Sequence, residues 1–319
     1  MSRSPFLESR HGRPRHRGRR GALAALALAL AALALYVGLH SGRRSAPAPH
    51  AAPAPPAAVG RRPSATRNLV DPHFGRNPRA ALLVDLDSGR VLWRLNPDRV
   101  VPIASLAKMM TALLVAAHTR PTDPVRITKQ ALAYRGSGVG LLPGGKDVPV
   151  ETLLYGLLLP SGNDAAIALA QHVAGSTTRF VAAMNRRAAQ LGLSCTHYAS
   201  ADGFDDANRS CARDLVVLAK AILAVPRLAR IVGSRSAVLS LPGRRGKIFL
   251  YNNNPLLRRL RFRGVTGIKT GETNAAGKCL VATATRGHAH LASVVLASPD
   301  LAGQSAALLE AGFRYRHAS

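Results

Sequence analysis

Aromatic side chains make up only 4% of this 319-residue chain, and acidic ones are scarce, 16 against 44 basic, for a formal charge of +28. Such basicity invites a nucleic-acid reading. With so few rings and no RNP-like or zinc-finger pattern, nothing supplies base stacking or readout, so nucleic acid is excluded as a partner. Histidines number 11 but form no H-E-x-x-H pair, and three cysteines do not make a zinc site, so neither a metal nor another cofactor is implied. Lysine is rare too: seven of the basic residues, leaving 37 arginines. The arginine excess reads as codon bias or as a solvated basic face for anionic lipid or wall polymer. Apolar residues are not scarce. At 47% hydrophobic, the chain can bury a core without disulfides or metals to hold it.

Four segments follow from composition. Residues 1–20 carry seven arginines and read as a cytoplasmic tail; residues 21–39 are an apolar run of mostly Ala and Leu, just long enough to span a bilayer. The expectation is a single-pass anchor with the remainder outside. The alternative is a signal peptide, cleaved near Ala46-Pro47-Ala48 to release a secreted protein. Residues 40–67 form an Ala/Pro-rich linker that cannot order itself, and residues 68–319 form the globular domain. In it, strand-like runs at 80–86 and 91–95 flank the turn Asp87-Ser88-Gly89-Arg90 and predict a hairpin. Helical periodicity covers 105–118, 150–159, 164–172, 177–191 and 212–223; strands return at 265–270, 278–285 and 291–297 before a helix at 301–313. That order implies an α+β fold, its antiparallel sheet shared by N- and C-terminal segments around a helical subdomain.

Three short motifs carry the chemistry. Ser105-Leu106-Ala107-Lys108 opens a helix, so Ser105 and Lys108 lie one turn apart on one face. Ser161-Gly162-Asn163 falls in a loop between helices, and Lys269-Thr270-Gly271 ends a strand, where Gly271 would let a substrate backbone approach. Singly, these are a cap, a turn and a strand end. Together, in this order and on these element types, they match the S-x-x-K, S-x-N and K-T-G set of penicillin-binding proteins and β-lactamases. Lys108 and Lys269 also stay lysine in an arginine-rich chain, as groups that must shed a proton would.

From residue 80 to 315 the chain resembles a low-molecular-mass penicillin-binding protein of the D-alanyl-D-alanine carboxypeptidase family. Further landmarks are Ala201-Asp202-Gly203-Phe204, Tyr251-Asn252-Asn253-Asn254 and Gly267-Ile268-Lys269-Thr270-Gly271-Glu272-Thr273. The resemblance implies a β-lactamase/penicillin-binding-protein-like transpeptidase fold and a serine D,D-carboxypeptidase acting on peptidoglycan pentapeptide stems, with β-lactams as covalent inhibitors. It makes Ser105 the nucleophile, Lys108 its base, Ser161 a proton relay and Asn163 a positioning residue. Lys269, Thr270, Gly271, Glu272 and Thr273 line the substrate site, with the N–H groups of Ser105 and Glu272 holding the oxyanion. Two departures stand out. The family's C-terminal β-domain and amphipathic helix do not follow Tyr315, so the anchor is expected at the front. A basic residue common after the last strand is here Gln304.

Alternatives on the same fold are a β-lactamase or a D,D-endopeptidase; from another class, a catalytically idle wall-binding protein. The four glutamates, Glu8, Glu151, Glu272 and Glu310, leave none between the second and third motifs, where efficient β-lactamases keep a deacylating base. Asp164, Asp202, Asp205, Asp206 and Asp214 do fall there, at helix starts or in a turn-rich loop. Export permits disulfides. Cys195 and Cys211, flanking turn residues, are expected to pair, with Cys279 a buried strand residue; three unrelated buried thiols is the other reading.

Overall fold

The computed structural model describes residues 68–242 and 247–318. The tail, the expected span at 21–39 and the spacer at 40–67 lie outside the described residues. Among the described residues no helix is long and apolar enough to cross a membrane.

The frame is a five-stranded antiparallel sheet in the order β2-β1-β11-β10-β9. β1 (Ala80–Asp85) and β2 (Val91–Leu95) form the expected hairpin, and β1 pairs on its other side with β11 (Ala289–Ser298). β10 (Gly277–Arg286) then joins β11 to β9 (Val265–Thr273), the strand at the sheet's edge. Both faces are covered. Alternate residues of β1 therefore enter different cores: Leu82 and Val84 pack toward the helical side, Ala81 and Leu83 toward the C-terminal helix α9 (Leu301–Ala318) with Leu309 and Phe313. Gly312 permits close packing there, since a Cβ would come within 2.7 Å of Leu291 and 3.1 Å of Leu83.

The helical side is built on α1 (Lys108–His118), which is buried nearly all round through Met109, Met110, Ala112, Leu113 and Val115, and so sits at the centre. Around it lie the short α2 (Lys129–Leu132), then α3 (Val150–Leu158), α4 (Asn163–Ala174), α5 (Thr177–Gln190), α6 (Ala212–Leu223) and α7 (Pro226–Gly233). A 3-10 turn, Ala104–Ala107, precedes α1, so the helix expected from 105 begins three residues later. The hairpin of β7 (Ser236–Ser240) and β8 (Lys247–Tyr251) and the short α8 (Pro255–Arg258), none of them anticipated, lead into β9. β3 (Val101–Pro102) pairs with β6 (Arg209–Ser210), and β4 (Pro124–Arg126) with β5 (Asp147–Pro149).

Candidate active site

Ser105 sits in the 3-10 turn rather than capping it: no side chain caps this turn, and Ser105 Oγ accepts a hydrogen bond from Lys108 Nζ at 2.9 Å. The turn is entered through Ala104 at φ 48°, a left-handed conformation that a side chain makes costly and the surroundings must hold in place. Two glycines hold it from opposite segments. A Cβ on Gly203 would run into the Ala104 carbonyl, and one on Gly271 would meet Ile103 O at 2.8 Å and the Ser105 and Leu106 nitrogens at 3.1 Å. Gly271 thus serves first to let β9 lie against the serine's own backbone.

Lys108 is completely buried. Its Nζ donates to Asn163 Oδ1 at 2.6 Å and to the Asp202 carbonyl at 2.5 Å, besides Ser105. Burial pushes its pKa down to about 7, against the opposing pull of the Asp202 and Asp164 carboxylates. Near neutrality it therefore exists in part as the free amine, able to take a proton from the hydroxyl it touches.

Asn163 opens α4 and spends its other end on the Arg135 carbonyl, at 2.5 Å, while its N–H donates to Ser137 O at 2.8 Å. Asp164, expected as a helix-start acid, is buried and also accepts from the N–H groups of Val139 and Gly140, each at 2.9 Å. It ties down the loop that brings Ser137 to the cleft wall. Ser161, at φ 71°, is 5% exposed, and its Oγ has no hydrogen-bond partner among the described residues.

Ser105 and Ser161 open onto one cleft of about 480 Å³, lined also by Thr270, Gly271, Glu272 and Ser137. Two expected substrate-site residues are absent from its lining. Lys269 is buried on the same face of β9 as Gly271, the face that meets the serine turn, its Nζ donating to the Thr270 carbonyl at 2.8 Å; burial, aided by the charge of Lys108, holds it well below the ordinary lysine range. Thr273 Oγ1 donates to Asp206 Oδ1 at 2.9 Å and accepts from Ala276 N–H, outside the cleft lining. Sequence reasoning named neither Ser137 nor the role of the Asp202 carbonyl, because backbone groups and loop hydroxyls leave no motif.

Cys195 and Cys211 are joined in a disulfide, Cα atoms 5.6 Å apart, and Cys279 is a free buried thiol whose pKa burial raises to about 11. Among the described residues the one group with metal-ligand potential is Asp98 with these two paired sulfurs, already bonded to each other.

The family model for D-alanyl-D-alanine carboxypeptidase matches residues 72–300. The chain belongs to the D-alanyl-D-alanine carboxypeptidase family. It is 33% identical over 223 residues to D-alanyl-D-alanine carboxypeptidase DacF of Bacillus subtilis, covering 68% of this chain and 56% of that protein. To D-alanyl-D-alanine carboxypeptidase DacC of Escherichia coli it is 40% identical over 252 residues, 74% and 61% of the two chains. It therefore spans somewhat more than half the length of these relatives. The solved D-alanyl-D-alanine carboxypeptidase of Mycobacterium tuberculosis shares its fold with a TM-score of 0.70 at 33% identity, over 80% of this chain and 96% of that one. The α+β frame is thus that of the penicillin-binding D,D-peptidases, and the serine turn, the Ser-Gly-Asn loop and β9 all fall inside the family match.

Proposed function

We propose that this chain is a serine-type D-Ala-D-Ala carboxypeptidase that removes the terminal D-alanine of peptidoglycan stem peptides through an acyl-enzyme on Ser105. The observation that carries the reading is Lys108: a buried amine with its pKa near 7, hydrogen-bonded to both Ser105 and Asn163. Neutral Lys108 takes the Ser105 proton as the oxygen attacks the penultimate carbonyl. The N–H groups of Ser105 and Glu272 hold the oxyanion. Ser161, whose hydroxyl is buried and unpartnered in the cleft, passes a proton to the departing D-alanine amine. Asn163 fixes Lys108 and the substrate amide; Thr270, backed by Lys269, receives the terminal carboxylate; Thr273 steadies the end of β9. Water then cleaves the ester and returns the proton to Ser105.

In the same reading the catalytic domain, 68–319, lies outside the cell membrane, held by the anchor at 21–39 through the spacer at 40–67. β-Lactams acylate Ser105 in place of the peptide. Release of free D-alanine from a pentapeptide by the native protein, abolished in Ser105→Ala, is the expected result; no release by the native protein overturns the reading. Rapid multiple-turnover hydrolysis of benzylpenicillin would move it to the β-lactamase alternative.

A further inference from the structure

A substrate that ends in a carboxylate needs a cation where that end lies. Two positions that the sequence offers for this do not present one. Gln304 is buried, and its amide is spent: Nε2 donates to Arg76 O at 2.5 Å and Oε1 accepts from Ser298 Oγ at 2.6 Å. It lines a neighbouring hollow with Phe74 and Gly75, not the cleft. Lys269 is buried with its Nζ on the Thr270 carbonyl, where burial and the charge of Lys108 disfavour its protonated form.

The cleft wall does carry positive charge, from α8. Arg258 and Arg259 line the same cavity as Ser105, Ser161 and Thr270. Their placement is fixed by local chemistry. Pro255 starts the helix, Asn254 Oδ1 caps it by accepting from Leu256 N–H at 3.0 Å, and Leu256 and Leu257 are buried. The two residues after them are left exposed, and the Arg258 guanidinium stacks 5.6 Å above the Tyr251 ring. Arginine stays charged at any working pH and meets a carboxylate with a planar fork. The other charged groups of the cavity are less suited. Lys278 stands opposite Glu272 in the β9–β10 register, and Asp300 accepts from Gly303 N–H at the start of α9.

We propose that Arg258 and Arg259 form the carboxylate-recognition site of this cleft, taking over from the position after the last strand, where Gln304 is turned away. The assignment rests on the carboxypeptidase reading. It makes these two arginines specificity-determining residues: they select substrates with a free terminal carboxylate.

The test compares native protein with an Arg258→Gln/Arg259→Gln double variant on a D-Ala-D-Ala peptide and on the same peptide amidated at its C-terminus. The native preference for the acid, as a ratio of kcat/KM, should fall roughly 10- to 100-fold in the double variant, the worth of a charge-assisted hydrogen bond. An Arg258→Lys/Arg259→Lys variant, which keeps the charge, should retain more of the preference. A ratio within twofold of native in the Gln variant overturns the proposal. Should the native protein release no D-alanine at all, the carboxypeptidase reading fails separately. Acylation by benzylpenicillin against its methyl ester then reads the same carboxylate preference without turnover, with the same criterion.

Discussion

Lys108 and Lys269 are both buried at one cleft, and the charge of Lys108 adds to the desolvation that holds Lys269 below the ordinary lysine range. Two ammonium groups so placed cannot both stay charged at little cost. Lys108 is the one hydrogen-bonded to the serine, and its pKa near 7 sets a pH dependence with a definite sign. In the proposed mechanism the amine is free above about 7 and accepts the Ser105 proton, and below it is protonated and idle. The second-order rate of acylation by benzylpenicillin should therefore rise about tenfold per pH unit from pH 5 toward 7 and level off above. Lys108→Arg keeps the charge but has no accessible free-base form, and should acylate at least 100-fold more slowly. A flat profile from pH 5 to 9 would remove Lys108 from the role of base.

Gly271→Ala tests the contact between β9 and the serine turn. A methyl there would press on Ile103 O and the Ser105 and Leu106 nitrogens, all backbone atoms that cannot swing aside. The expected outcome is a loss of about 1–3 kcal/mol of stability and an acylation rate reduced at least tenfold, because the strand must back away from the turn. Calorimetry and stopped-flow acylation measure the two effects. Native acylation in the Ala variant would mean the turn is positioned by other contacts.

The Cys195–Cys211 disulfide closes a short loop beside Asp214, whose carboxylate accepts from Cys195 N–H at 2.7 Å and from Thr196 Oγ at 2.8 Å. Thiol titration of the denatured, non-reduced protein should find one reactive group, Cys279, and three after reduction. Cys195→Ser/Cys211→Ser should cost about 3 kcal/mol by the loop-entropy relation, read as a lower denaturation midpoint.

Penicillin should trap the protein. Every aspartate between the second and third motifs has structural work: Asp164 on the Val139–Gly140 loop, Asp202 on Ser200 and Phe204 N–H, Asp205 on Ala207 N–H, Asp206 on Thr273, Asp214 beside the disulfide. None is left as an obvious base for a deacylating water, and losing such a base costs roughly 100- to 10,000-fold in rate. A penicilloyl-enzyme that persists for minutes should be visible by intact-protein mass spectrometry, with the adduct on the peptide containing Ser105. Deacylation within a second would show that one of these carboxylates, or Glu272 in the cleft, does serve as base.

Much of the frame was legible because its elements are long and strongly patterned. The helical period places Ala212–Leu223 to the residue, and β1, β2, β10, β11 and α9 differ from expectation mainly at their ends. The elements that escaped are short. α7 has only eight residues, and in β7 and β8 the inward set, Ala237, Leu239, Ile248 and Leu250, alternates with exposed Val238 and Phe249, which blurs the two-residue period. The site's motif residues could be named because side-chain chemistry restricts their type. Their depth could not. That Gln304 turns away from the cleft while Arg258 and Arg259 line it depends on how α8 and α9 pack, which no local pattern encodes.

β1 and β11 come from opposite ends of the described domain and are neighbours in its sheet. The contacts around Ser105 likewise join segments far apart in sequence: the turn itself, Asn163, the Asp202–Gly203 loop and Gly271. Pairings of such long sequence separation form late and slowly, since loop-closure entropy is lost before they repay it. On the acyl-enzyme reading, Ser105 should therefore be inert toward a β-lactam in a partly folded chain, and its acylation should report completed closure of the described domain. A fluorescent penicillin would serve as a clock for its folding.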